Sequence, residues 1–269
     1  MNNLVQQQPI LTLGFSTMKG RSQDMIALLL ELGTFEQIEI LVVMQGGEEP
    51  LPPALNHVKL IVDTKMGISH SRNQVITNSA GCFIWFLDDD VWLDRNDIEN
   101  LLAKLCKPDC PEVLRVQIGC IENHSKRYKA YGNNHQLSRL QLLQVSSIEV
   151  IVNRAFILKY QIRFNENFGL GTALPATEEV NFLLDIYRYQ GVVVNLPKVF
   201  VYHSCCEQGR ILANEGIFLA RGATASRFGT LGLAIIFRWA CRYFIRYRQL
   251  SYVKSLIQGY YQGYSAFTD

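Results

Sequence analysis

Cys82-Phe83-Ile84-Trp85-Phe86-Leu87-Asp88-Asp89-Asp90 is an apolar run of strand length that breaks off into three consecutive carboxylates. Aromatic, β-branched and aliphatic residues fill both alternating sets of positions, as in a strand buried on both faces of a largely parallel sheet. The carboxylates then fall at its C-terminal end, where open α/β sheets place their ligands. Three adjacent Asp repel one another beside an apolar core, and a divalent cation is the simplest way to keep them ionised there. Hard oxygen ligands suit Mg2+ or Mn2+. The competing reading is a solvated acidic turn that merely ends a strand, so the context has to decide.

Upstream, Ile10 to Thr17, Glu39 to Gln45 and Val58 to Asp63 read as strands. The helix between the first two, Gln23 to Leu32, has a broad apolar face and a closing Gly33. Gly67 to Ala80 reads as a helix, with Ser69 as a candidate cap. Downstream, Asp94 is placed to cap a helix over Asn96 to Cys106. This alternation predicts a doubly wound, mostly parallel sheet up to about residue 110. Beyond it, Val113 to Ile118 and Ser147 to Val152 read as strands, and Arg154 to Lys159 and Ala176 to Gln190 as helices. Val192 to Val194 and Val199 to Tyr202 are short late strands. The polar stretch Glu122 to Gln136 is either a flap over a ligand or a plain surface excursion.

The 269 residues, 48% hydrophobic and 19% charged, are enough for one large α/β domain with a tail. A net charge of +2 argues against a nucleic-acid binder, so no nucleic-acid partner is expected. The charge is unevenly spread, because no acid occurs between Glu215 and Asp269 while Arg238, Arg242, Arg246, Arg248 and Lys254 do. From Ile211 onward the chain reads as helical. Its apolar run, Gly229 to Phe237, is too short and too soon interrupted by Arg to span a bilayer, which takes about 20 apolar residues. Arg238, Arg242 and Arg246 share one helix face beside Trp239, Tyr243 and Phe244. That composition suits either a helix in the membrane interface or a basic helix packed on the domain or at an oligomer contact. Seven scattered Cys without a CxxC pair read as buried or incidental thiols of a reducing, cytoplasmic protein.

Several features gather behind the carboxylates. Gly67-Ile68-Ser69-His70-Ser71-Arg72-Asn73 puts a Gly turn and an Arg at a helix start, a sensible place to meet a diphosphate. Arg72 has a plainer use as a salt-bridge partner for the acidic cluster. Glu178 and Glu179 open a later helix after Gly169-Leu170-Gly171; the helix dipole explains them, and so does a general base facing an acceptor. Tyr202-His203 ends a late strand, where an imidazole can join a metal site or simply be a satisfied residue.

In this order, from Ile10 to about His203, the motifs resemble the family 2 glycosyltransferases of the GT-A fold. The resemblance implies an α/β, Rossmann-like GT-A domain with a mixed, mostly parallel sheet flanked by helices, over residues 1–210. Residues 1–110 would form its nucleotide-sugar half and 111–210 its acceptor half, with 211–269 a helical C-terminal extension. It implies inverting transfer of a sugar from a nucleotide-sugar donor, a UDP-sugar being the leading candidate, to a glycan or lipid-linked acceptor in bacterial surface polysaccharide or glycolipid synthesis. Asp88 and Asp90 would hold Mn2+ or Mg2+ against the diphosphate, with His203 approaching that metal and Asp89 near the ribose or sugar. Arg72 belongs to the donor-binding helix, and Ser16 and Thr17 lie where base and ribose bind. Glu179 matches the catalytic base, with Glu178 just before it. The usual base-reading acid after the second strand is replaced by Gln45-Gly46-Gly47, for which Asp63 is the candidate substitute; Asn181 stands where the family often has Asp. A nucleotidyltransferase and an inactive sugar-binding scaffold are the alternatives, and residues 229–248 are the candidate contact with the inner membrane face.

Overall fold

The computed structural model describes residues 8–205 and 213–266. The parallel half comprises β1 (Leu11–Met18), α1 (Gln23–Leu32), β2 (Ile38–Gln45), β3 (Lys59–Asp63), α2 (Ile68–Asn78) and β4 (Phe83–Asp88). It is followed by α3 (Arg95–Leu105), β5 (Val113–Cys120), β6 (Asn123–Arg127), β7 (Val150–Asn153), α4 (Arg154–Lys159), α5 (Glu178–Arg188) and β8 (Val193–His203). Three helices close the chain: α6 (Glu215–Ser226), α7 (Thr230–Tyr247) and α8 (Leu250–Ala266). The sheet is mixed, running β3-β2-β1-β4-β7-β5-β6, with β8 parallel to β5 on its other side. Strands β3, β2, β1 and β4 are mutually parallel, and β7 enters antiparallel to β4.

The opening stretch does what its composition requires. Phe83, Trp85 and Leu87 face one core with Met25 and Leu29 of α1 and Ile98 and Leu101 of α3. Ile84 and Phe86 face the other core, with Val75 of α2 and Val180, Phe182 and Leu183 of α5. Every side chain from 83 to 87 is buried, so a polar residue anywhere in it would need a partner. The one polar atom present, Trp85 Nε1, donates to the Ile148 carbonyl at 2.8 Å.

Helix ends follow local chemistry. Gly33 closes α1 with φ 64°, and Asp94 caps α3 by accepting from the Asp97 N–H at 3.0 Å. Helix α2 departs from expectation at its cap. Gly67, at φ 127°, is the residue before the helix, and the Ser69 hydroxyl donates instead to the Phe168 carbonyl at 2.6 Å. The two late strands merge into one, β8, whose pairing with β5 shifts register between Arg115 and Ile118. Part of the polar stretch 122–136 is strand: β6 turns back antiparallel to β5 as an exposed edge.

The thiol expectation is corrected. Cys120 and Cys205 form a disulfide with a Cα–Cα distance of 5.4 Å. Cys120 pairs with His203 across the β5–β8 ladder, which brings the chain two residues further on back to it. The bond removes the argument from cysteine usage to a reducing compartment. Of the other described cysteines, Cys82, Cys106 and Cys241 are exposed rather than buried; Cys206 lies outside the described residues.

Helices α6 and α8 approach so closely that side chains are excluded at the contact. A Cβ on Gly259 would lie 2.0 Å from the Leu219 carbonyl oxygen, and one on Gly222 2.1 Å from that of Leu256. Phe218 and Ala225 of α6 belong to the same core as α2 and α5. Among the described residues no helix is long and apolar enough to cross a membrane.

Candidate active site

The C-terminal ends of β1, β2 and β4 open on a cleft of about 680 Å³. Its walls bring together Ser16, Thr17, Arg72, Asp88, Asp89, Asp90, Glu178, Glu179 and His203. These are all the sequence-derived candidates except Asp63.

Arg72 organises the floor. Its guanidinium is 3% exposed and donates to Glu178 Oε1 at 2.7 Å, Asp88 Oδ1 at 2.9 Å and Ser147 Oγ at 2.9 Å. Burial favours loss of its proton, but Asp88 and then Glu178 outweigh that and hold the guanidinium above its usual range. Its buried Nε has no hydrogen-bond partner among the described residues. Phe164 lies 5.6 Å from the guanidinium carbon and packs it from the apolar side.

The three Asp have separate surroundings. Asp88 pairs with Ser16 in the β1–β4 ladder and is tied to Arg72. Asp89 turns inward, accepting from the Thr17 hydroxyl at 2.8 Å, with Arg21 3.5 Å away; burial raises its carboxyl pKa. Asp90 pairs with His203 Nε2 at 3.3 Å, and that bond lowers its carboxyl pKa. The same bond pushes the His203 imidazole up to about 9.

Glu178 and Glu179 open α5 behind Thr177, which has φ 67°, a left-handed conformation uncommon for a residue with a branched side chain. The Thr177 hydroxyl shares a 2.7 Å bond with Thr224 of α6, to which the Asn181 amide also donates at 3.1 Å. Glu178 is committed to Arg72. Glu179 lines the cleft with no ion pair among the described residues; burial, then the neighbouring Glu178 charge, raises its carboxyl pKa against the pull of Arg72 and Lys129.

Asp63 is turned elsewhere. It accepts from the Lys65 N–H at 2.8 Å and meets His70 Nε2 at 2.8 Å, and His70 Nδ1 reaches Glu166 at 3.1 Å. The acid offered in place of a base reader is thus held by the loop after β3 and by His70 of α2. Gln45 lines the cleft instead, its Oε1 accepting from the Gly67 N–H at 2.7 Å. No residue of 122–136 lines this cleft.

Ser147 was not among the candidates, and neither was a second buried ionic cluster. Glu149, 0% exposed, accepts from Tyr131 Oη at 2.6 Å, the Ser146 N–H at 2.8 Å, Lys129 Nζ at 3.0 Å and Arg115 Nε at 3.3 Å. Burial lowers the Lys129 ammonium pKa, against the pull of Glu149.

The donor set at the rim is two carboxylates with one imidazole. It is chemically suited to Mg2+ or Mn2+, which commonly take one or two protein carboxylates and complete their shell with substrate phosphates and water. Among the described residues, a tighter group of metal-binding type is Cys120, Glu122 and Cys205, but its two sulfurs are joined to each other.

A mixed sheet with this cleft at the carboxyl ends of its parallel strands, flanked by helices and followed by C-terminal helices, defines the GT-A fold class of glycosyltransferases. Residues 23–160, just over half of the chain, match the family model of glycosyl transferase family 2, and the chain belongs to that family. It is similar in structure to residues 1–349 of S. aureus TarS in complex with UDP-GlcNAc. That match has a TM-score of 0.67 and 15% identity, covering 96% of this chain and 81% of that one. A longer TarS structure matches at TM-score 0.59 and 14% identity over 82% of this chain, which spans 40% of TarS. The mannosyltransferase PcManGT of Pyrobaculum calidifontis, in complex with GDP-Man and Mn2+, matches at TM-score 0.56 and 12% identity, covering 97% and 77%. No curated protein matches the chain.

Proposed function

We propose that the protein is a metal-dependent, inverting glycosyltransferase that moves a sugar from a nucleotide-sugar donor to a hydroxyl of a glycan or lipid-linked acceptor. One observation carries this reading: a single cleft brings together Asp88, tied to Arg72, Asp89, Asp90 beside His203, and Glu179.

Asp88 and Asp90 are assigned to the divalent ion, with His203 beside them. The ion, when bound, neutralises charge on the departing nucleoside diphosphate. Arg72 cannot swing to the diphosphate without breaking two ion pairs, so its work is to fix Asp88 and Glu178 in place. Ser16, Thr17 and Asp89 line the donor side, in the half comprising residues 1–110. Glu179 is the base. Its raised pKa makes the carboxylate a stronger base toward the acceptor proton. Direct attack by that hydroxyl on the anomeric carbon inverts it, so no carboxylate nucleophile is called for. A UDP-sugar is the first donor to try, given TarS with UDP-GlcNAc, and a GDP-sugar the second, given PcManGT with GDP-Man. Bacterial surface polysaccharide or glycolipid synthesis is the setting proposed.

A screen of nucleotide sugars, read by nucleotide release with and without EDTA, tests this reading. Release from one donor class that stops on chelation and returns with Mn2+ or Mg2+ is expected. Pyrophosphate formation from a nucleoside triphosphate and a sugar phosphate would make the protein a nucleotidyltransferase instead, and failure to bind any nucleotide would leave a scaffold.

A further inference from the structure

Helix α7 buries one stripe and exposes the rest. Gly232, Ile235 and Ile236 are buried, and Trp239, Ala240, Tyr243 and Tyr247 are packed against the core, all on one side of the helix. The opposite side carries Leu233, 52% exposed, Phe237, 73%, and Ile245, 68%. An amphipathic helix of a globular protein normally shows solvent a polar face. Here the apolar ridge is flanked by Arg238, Arg242 and Arg246, one turn apart and all exposed. Among the described residues none of these three, nor Arg248 or Lys254, has a carboxylate within ion-pair distance. Large exposed apolar side chains grouped in this way mark an interaction surface.

Charge selects the partner. A symmetric contact with a second copy would bring one Arg ridge near another, and the chain from 216 to 268 has no acid to answer it. A bilayer with anionic headgroups offers both halves of the complement: phosphates for the guanidinium groups and an acyl margin for the apolar side chains. We propose that the outer face of α7 docks on an anionic lipid surface, with the helix lying along the headgroup boundary. This goes beyond the proposed catalytic activity and does not depend on it.

Flotation of the purified full chain with phosphatidylcholine vesicles, with and without phosphatidylglycerol, tests the proposal. Binding is expected only with phosphatidylglycerol, and raising the salt should weaken it as surface charges are screened. Phe237→Ser with Ile245→Ser should lower the affinity at least about tenfold. Arg238→Gln with Arg242→Gln and Arg246→Gln should lower it about a hundredfold. All five side chains are exposed, so unchanged melting curves verify folding. Four results would overturn the proposal: no binding to anionic vesicles at low salt, equal binding to neutral ones, unaltered binding of the Ser pair, or a wild-type dimer that the Ser pair splits in sedimentation. Because bound protein is read rather than turnover, a wrong catalytic assignment leaves the test intact.

Discussion

Two buried ionic clusters are built from similar parts and behave differently. Around Glu149, both carboxylate oxygens are occupied by four donors and the carboxylate is shut away from water. Around Arg72, the guanidinium Nε has no hydrogen-bond partner among the described residues, Asp88 is 35% exposed at the side chain, and Glu179 lines the cleft with no ion pair among those residues. A closed network holds β5, β7 and the 129–131 segment together. An open one leaves polar capacity facing space, which costs stability unless a ligand takes it up. Saturation of the hydrogen bonds, rather than the presence of charge, separates framework from site.

The largest effect that should break this contrast comes from the open cluster. Glu179→Gln should reduce kcat by about 10²–10⁴-fold, the usual worth of a positioned base, while donor affinity and melting temperature stay put. A loss confined to KM would remove Glu179 from the chemistry. In the closed cluster the expectation reverses. Glu149→Gln should cost about 3–5 kcal/mol of stability in denaturant titrations, since it leaves cations buried without their anion. Activity per folded molecule should be kept, and a selective loss of turnover would join the two clusters.

Smaller effects sharpen the comparison. A base works deprotonated, so kcat/KM should climb about tenfold per pH unit below the raised pKa of Glu179 and level off above it, with the break well above the ordinary carboxylate range. The slope should vanish in Glu179→Gln. The smallest effect probes an electrostatic link between the clusters. The Lys129 charge favours ionised Glu179, so Lys129→Met should move the pH profile to higher pH. An unmoved profile would mean that the ammonium does not act on the base.

What could be read from the chain follows contiguity. Strand β4, its Asp triplet and the Gly67-to-Asn73 helix start are unbroken runs whose periodicity and composition state their own environment. Lys129, Tyr131, Ser147 and Glu149 are single polar residues outside any periodic run, and only the tertiary fold brings the 129–131 segment and Arg115 of β5 to Glu149. The Cys120–Cys205 bond, 85 residues apart, depends on strand register in the same way. Asp63 illustrates the opposite error. Its position at the end of β3 was legible, but the direction of its side chain was set by His70 and the Lys65 N–H.

The bond between Thr177 and Thr224 has a consequence for reach. It fastens the first turn of α5 to α6, an ion pair from Arg227 to Asp185 fastens α5 again one helix turn beyond Asn181, and the glycine contacts seat α6 on α8. Were α7 to dock on a bilayer as proposed, these contacts would hold Glu179 at a fixed height above the lipid. The C-terminal helices would then act as a ruler, favouring acceptors whose spacer between lipid and hydroxyl matches that height.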